Sequence, residues 1–240
     1  MAVRDAVRKV LDALDWKRIE AVLDERGFAS LPRLLDDGAC ADLVALYEDE
    51  RRFRKTVDME RHGFGRGDYK YFADPLPPVV AALRSEAYRH LAPIANRWEV
   101  ALRREPRWPA ALPALRTACA ALGQSLPTPL LLHYEAGGYN CLHRDLYGPC
   151  VFPIQLAIFL SEPRRDYEGG AFLLVEQRLR SQSVGEALLP QRGEAVLFAT
   201  AERPRRGARG FHRAAMRHGV ATVTHGRRFT LGVIFHDAKS

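Results

Sequence analysis

The chain contains 240 residues, with 36 Lys and Arg against 29 Asp and Glu, so its formal net charge is +7. Hydrophobic residues make up 47% of the sequence, which excludes a disordered chain and allows a sizeable core. The sequence has no apolar run long enough for a membrane helix, and charges interrupt the N-terminal segment where a secretory signal would be apolar. We therefore expect a cytoplasmic protein with no membrane partner.

The first half of the chain is predicted to be mainly helical, because apolar side chains recur there at helical spacing. In chain order, the predicted elements are a helix over 3–14, a short strand and turn over 27–32, a helix capped by Asp36 or Asp37 that includes 43–47, and helices over 78–104 and 110–123. Pro93 and the prolines at 106, 109 and 113 are expected to bound or kink the last two helices.

The second half changes to short apolar segments of strand length, bounded by Gly, Pro or charged residues. The predicted strands cover 129–134, 151–160, 171–175, 195–199 and 229–235. Helices followed by about six or more strands predict a mostly β fold with α, in which a helical layer supports a β-sandwich or jelly roll. We expect one domain over 1–240, with helical support and substrate-side segments in 1–128 and the β core in 129–240.

The sequence His143-Arg144-Asp145 follows a predicted strand and a Gly-Gly turn. Residues i and i+2 of a strand point to the same side, so His143 and Asp145 can hold one metal ion together. His-x-Asp alone occurs by chance in many chains, but a second histidine, His218, follows 75 residues later. Two histidines and one carboxylate leave three coordination positions open, which is the arrangement of non-heme Fe(II) oxygenases.

An arginine that could bind a carboxylate follows the second histidine. Arg228 lies ten residues after His218, where the next strand would point it into the same barrel, and Thr230 would face the same way. Arginine can bind a carboxylate through two parallel hydrogen bonds. Arg227 is the alternative, since neighbouring residues alternate across a strand and only one of the two can face the pocket.

Many residues in the second half occur in an order that resembles a known family. The ordered residues are Tyr134, Gly137, Gly138, Tyr139, His143, Asp145, Gly169, Gly170, the segment 193–198, His218, Val223, Gly226 and Arg228. They resemble the 2-oxoglutarate/Fe(II)-dependent dioxygenases, and among them the prolyl-hydroxylase-like branch, over residues 129–236. The resemblance implies a double-stranded β-helix, the jelly-roll core of this superfamily. It also implies Fe(II) and O2, with 2-oxoglutarate as co-substrate.

The same resemblance implies roles for individual residues. Fe(II) would be held by His143, Asp145 and His218. The far carboxylate of 2-oxoglutarate would lie on Arg228 and Thr230, and Tyr134 would add a hydroxyl to that contact. The alternatives for the second metal histidine are His62, His212, His225 and His236. Tyr134 could instead be a core aromatic, and Asn140 and Gln155 could be either hydrogen-bond partners around the site or ordinary polar residues.

A narrower resemblance covers nearly the whole chain. Segments 58–72, 143–148 and 234–238 are similar to a prokaryotic subfamily of these oxygenases suspected of nucleic-acid modification. It implies hydroxylation or oxidative demethylation of a substrate C–H bond, with release of succinate and CO2, on a single-stranded or flipped-out base. The alternatives are a protein side chain of prolyl type, a small molecule, or a non-catalytic metal-binding barrel.

The positive charge favours an anionic partner such as nucleic acid, unless arginine is simply abundant in this chain. Segment 201–217 is arginine-rich and precedes His218, so it is either a basic lid over the active site or a solvated loop. The candidate substrate-binding residues are Arg205, Arg206, Arg209 and Phe211 in this segment, together with Tyr147. Segment 51–72 also interleaves basic and aromatic residues, and its aromatics could equally be core residues of a strand pair.

Overall fold

The computed structural model describes residues 2–178, 181–208 and 210–239. Its helices are α1 (Ala2–Asp12), α2 (Trp16–Arg26), α3 (Asp37–Ala45), α4 (Pro78–Ala101) and α5 (Leu112–Ala121). Its strands are β1 (Phe28–Leu31), β2 (Phe53–Asp58), β3 (Gly65–Arg66), β4 (Asp68–Phe72), β5 (Gln124–Leu126), β6 (Leu130–Glu135), β7 (Tyr139–His143), β8 (Ile154–Phe159), β9 (Tyr167–Gly169), β10 (Phe172–Gln177), β11 (Val184–Leu188), β12 (Ala195–Ala199), β13 (Glu202–Gly207), β14 (Gly210–Val220), β15 (Val223–Val233) and β16 (Ala238–Lys239).

The strands form two main antiparallel sheets. The larger sheet has the order β1-β12-β8-β15-β6-β4-β2, with β9 also paired to β15. The smaller sheet has the order β11-β10-β14-β7-β3, and β13 pairs with β14. This arrangement confirms the predicted fold class of a jelly-roll core with a helical layer. Among the described residues, no helix is both long and apolar enough to span a membrane.

Alternation along the strands of the larger sheet separates two cores. In β8, Leu156 and Ile158 belong to the core shared with the helices, whereas Ala157 and Phe159 belong to the core between the sheets. The same rule applies to β15, where Leu231 packs toward the helices. Residues 228 and 230 therefore face the space between the sheets, because they differ from residue 231 by an odd number.

The predicted elements are largely confirmed, with three differences. The pattern over 3–14 did not predict α2, whose first turn is capped by the side chain of Asp15. The first half also supplies strands β1, β2 and β4 to the larger sheet and β3 to the smaller one. The arginine-rich segment is not a loop but a β-hairpin formed by β13 and the start of β14. We call residues 202–217 the arginine hairpin.

A buried ion pair ties the end of the chain to α4. Nη2 of Arg84 donates to Oδ1 of Asp237 at 2.6 Å, and the two side chains are 1% and 2% exposed. Nε of Arg84 donates to the carbonyl of Ile234, and Nη2 also donates to that of Phe235. The segment that follows β15 is therefore held against the helical layer.

Asp237→Ala is expected to destabilise the protein by about 3–5 kcal/mol, because it leaves the Arg84 guanidinium buried without its carboxylate. Urea unfolding followed by circular dichroism measures the change. Arg51→Ala is the control, since this arginine is 90% exposed in its pair with Asp49 and should leave the midpoint unchanged. An unchanged midpoint in Asp237→Ala would contradict the prediction.

Candidate functional site

A cavity of about 390 Å3 opens between the two sheets. Its wall is mostly apolar and includes the aromatic side chains of Tyr69, Tyr134, Phe172 and Phe198. One edge of the cavity reaches the surface at Phe64, Leu142 and Arg144, which are all exposed. We call this edge the mouth. The cavity is large enough for a small organic molecule and for part of a larger one.

Two histidines and one aspartate meet inside the cavity. His143, the last residue of β7, is the register partner of His218 on β14, and their ring centroids lie 4.2 Å apart. Asp145 follows two residues later, with its oxygens 3.5 Å from Nε2 of His143 and 3.2 Å from Nε2 of His218. Among the described residues, this is the one group of three potential ligands whose atoms all lie within 4.8 Å of each other.

The charges at Asp145 and His218 suit a divalent cation. Burial by itself would raise the pKa of Asp145, but the adjacent His143 and His218 hold it well below its usual range. Burial lowers the pKa of His218, as does the neighbouring His143. An ionised carboxylate and a neutral imidazole are the forms of these groups that bind a metal ion. The donor set therefore fits the facial arrangement of a non-heme iron site.

Both oxygens of Asp145 accept a further hydrogen bond. The Tyr147 hydroxyl donates to Oδ1 at 2.7 Å, and Nε2 of Gln155 donates to Oδ2 at 2.9 Å. The Tyr147 ring in turn contacts Tyr71 edge-on, with ring centroids 6.2 Å apart. Groups that donate hydrogen bonds to a metal-binding carboxylate fix its orientation. This contact of Tyr147 was not predicted, and its binding of substrate stays a prediction.

Tyr147→Phe is expected to weaken metal binding about tenfold, because it removes the hydrogen bond that orients one oxygen of Asp145. Anaerobic calorimetric titration with Mn(II) or Co(II) gives the Kd without any need for turnover. Tyr139→Phe, at a position that is 41% exposed, serves as the matched control. Equal Kd values in both variants and in the wild type would show that Tyr147 does not support the site.

A buried arginine with no carboxylate partner among the described residues lines the same cavity. The Arg228 side chain is 1% exposed, and its Nη1 donates to the Thr230 hydroxyl at 2.8 Å. Its Nε and Nη2 have no hydrogen-bond partner among the described residues. The rings of Tyr134, Phe159 and Tyr167 surround the guanidinium at 5.4–5.8 Å. Unsatisfied buried donors are costly, so this arginine fits a ligand carboxylate.

Alternation in β15 separates the two candidate arginines, since Arg227 is exposed and does not line the cavity. Tyr134 is fully buried, its hydroxyl accepts a hydrogen bond from Asn140 at 3.3 Å, and burial raises its pKa to about 12. It is therefore a neutral phenol beside Arg228.

Among the alternative histidines, His62 and His225 are exposed, and His212 and His236 do not line the cavity.

The described substrate candidates of the arginine hairpin do not line the cavity. Arg205 pairs with Glu176 at 3.2 Å, on the same face as the buried Arg203. Arg206 and Phe211 are register partners, and alternation places them on the opposite face of the hairpin. Arg209 lies outside the described residues. None of the described residues of 202–217 lines the cavity that contains His143, Asp145 and His218.

Three comparisons show what this chain is similar to. Residues 67–238 match a family named Oxygenase-NA and described as "Oxygenase, catalysing oxidative methylation of damaged DNA". An uncharacterized protein of Mycobacterium tuberculosis strain H37Rv is 46% identical over 191 residues, which is 78% of this chain and 82% of that protein.

Two solved structures have a similar fold. An oxidoreductase of the 2OG-Fe(II) oxygenase family from Burkholderia pseudomallei is 16% identical, covers 95% of each chain and has a TM-score of 0.55. A prolyl-4-hydroxylase from Pseudomonas putida is 12% identical, with 94% of this chain and 100% of that chain covered and a TM-score of 0.54.

Proposed function

The chain belongs to the Oxygenase-NA family and is an Fe(II)- and 2-oxoglutarate-dependent dioxygenase, and on that premise we propose that it oxidises a base of single-stranded or flipped-out nucleic acid. The reaction would hydroxylate or oxidatively demethylate a C–H bond of the base and release succinate and CO2. The family description supports DNA as the substrate class, and the net charge of +7 suits a polyanion.

We assign the cofactor sites from the groups inside the cavity. His143, Asp145 and His218 would hold Fe(II), and the far carboxylate of 2-oxoglutarate would accept hydrogen bonds from Arg228 and Thr230. Bound iron supplies the oxidative chemistry, in which O2 and 2-oxoglutarate are consumed. The single observation that carries the assignment is that Arg228, with two unsatisfied donors, lies in the same cavity as the three potential metal ligands.

The protein's own residues then orient and isolate the reactants. Tyr147 and Gln155 hold Asp145 in one orientation, and Tyr134 offers its phenol beside Arg228. The aromatic wall keeps bulk water from the reacting C–H bond and provides flat faces against which a base can pack. Outside the cavity, Arg205, Arg206, Arg209 and Phe211 are proposed to contact the nucleic-acid backbone and a neighbouring base.

The test is succinate formation from 2-oxoglutarate with Fe(II), measured with and without single-stranded DNA or RNA that carries methylated bases. We expect strong stimulation by one of these nucleic acids, and an oligonucleotide without methylated bases is the matched control. Stimulation by a proline-containing peptide in their place would overturn the nucleic-acid proposal and favour a protein substrate.

A further inference from the structure

Two exposed side chains at the mouth, Phe64 and Arg144, have no role in the proposed cofactor sites. We propose that Phe64 and Arg144 form a subsite for the nucleotide next to the target base in single-stranded nucleic acid. The base of that nucleotide stacks on the Phe64 ring, and its phosphate binds Arg144. This inference rests on the proposed function, and it assigns substrate contacts to residues outside the arginine hairpin.

The Phe64 ring is exposed, yet its backbone is held in place. The side chain is 47% exposed, and the ring of His62 stacks on it with centroids 5.4 Å apart. The Phe64 amide donates to the carbonyl of Met59 at 2.9 Å, and its carbonyl accepts from the amide of Cys141 at 2.8 Å. The ring is therefore held at the edge of the cavity with part of its surface open to solvent, where it is available to pack against the face of another ring.

A glycine allows this segment to come so close to the metal-binding strand. Gly65 has a φ of +135°, and a Cβ at this position would lie 2.3 Å from the carbonyl oxygen of Tyr139 on β7. Any side chain here would therefore push β3 away from β7. Because β7 ends at His143, the same close approach places Phe64 at the mouth, beside the strand that carries a metal-binding residue.

Arg144 supplies an unpaired positive charge at the same edge. It lies between His143 and Asp145, is exposed and lines the cavity. Within the part of the chain that the structure describes, Arg144 takes part in no ion pair, whereas Arg61 on the neighbouring segment pairs with Asp58 at 3.2 Å. An arginine with no carboxylate partner is available for a phosphate oxygen.

These two groups favour a single strand over a duplex. Stacking on an aromatic side chain needs a base whose face is free, and this contact does not depend on base identity. In a duplex, the neighbouring bases cover each other's faces and must be unstacked at a cost of a few kcal/mol. A single strand avoids that cost, so it can present the target base to the cavity and the adjacent base to Phe64 together.

The test uses the metal-free protein, so binding is read without turnover. Fluorescence anisotropy with a labelled single-stranded oligonucleotide gives the Kd for the wild type and for Phe64→Leu, which keeps an apolar side chain but removes the ring. We expect Phe64→Leu to weaken binding about tenfold or more. Phe64→Trp should restore the affinity, and oligonucleotide binding should quench the fluorescence of the new indole.

Arg144→Ala tests the phosphate contact through salt dependence. We expect the slope of log Kd against log salt concentration to fall by about 0.7, the value for one phosphate contact to a single strand. Arg18→Ala removes the same charge from the exposed side of α2 and should leave the slope unchanged.

The outcomes separate the subsite from the proposed function. If the wild type does not bind the oligonucleotide, the nucleic-acid proposal fails and the subsite fails with it. If the wild type binds but Phe64→Leu binds equally well and Phe64→Trp is not quenched, only the subsite is overturned. A slope that is the same in Arg144→Ala as in the wild type would remove Arg144 from it.

Discussion

Alanine in place of Asp145 or His218 is expected to abolish 2-oxoglutarate turnover by the Fe(II)-loaded enzyme. Each change removes one of the three groups whose ligand atoms lie within 4.8 Å of each other. The loss of metal affinity should exceed the roughly 10- to 100-fold loss that is typical when a residue that hydrogen-bonds to a metal ligand is changed. Succinate release measures turnover, and calorimetric titration with Mn(II) measures metal binding independently of it.

His225→Ala is the matched control for this prediction. It removes a histidine that the sequence alone could not exclude as a ligand, but the structure places it on an exposed part of β15. Its turnover and metal affinity should equal those of the wild type. Circular dichroism shows whether the two site variants remain folded, since His218 is only 7% exposed. Full turnover in both folded site variants would contradict the ligand assignment.

The sequence could predict that the proposed metal and carboxylate residues lie on shared faces, because strand alternation constrains them. His143 and Asp145 are two positions apart, and Arg228 and Thr230 repeat that spacing on another strand. The side chain of residue i+2 returns to the same face whatever the rest of the fold does. The contact of Gln155 with Asp145 depends instead on how β8 lies against the loop after β7, which local spacing does not encode.

The substrate side was harder to predict, because exposure depends on packing between distant segments. The same basic and aromatic stretch contains Phe53 and Phe72, which stack in the core at 4.9 Å, and Phe64, which remains exposed at the mouth. Nothing in the local sequence separates these three phenylalanines. The burial of Arg203 in the arginine hairpin could not be predicted for the same reason, because its partner Glu176 is distant along the chain.

Arg228→Ala is expected to raise the concentration of 2-oxoglutarate needed for half-maximal turnover by roughly 10- to 150-fold. One hydrogen bond to a charged group is worth about 1.5–3 kcal/mol, which gives this range, and the loss of both Arg228 bonds would place the result at its upper end or above. Turnover at saturating 2-oxoglutarate should fall much less, because the proposed metal ligands remain in place. Initial rates of succinate formation over a range of 2-oxoglutarate concentrations separate the two effects.

Arg227→Ala is the control for this result, since it removes an adjacent arginine from the opposite, exposed face of β15. Its 2-oxoglutarate requirement should stay that of the wild type. Arg228→Lys should restore little of the lost affinity, because an ammonium group cannot reproduce the two parallel hydrogen bonds of a guanidinium. A raised requirement in Arg227→Ala together with an unchanged one in Arg228→Ala would move the carboxylate site to Arg227. The side chains of β15 would then not alternate between the two faces of the sheet in the way that positions Arg228 beside Thr230.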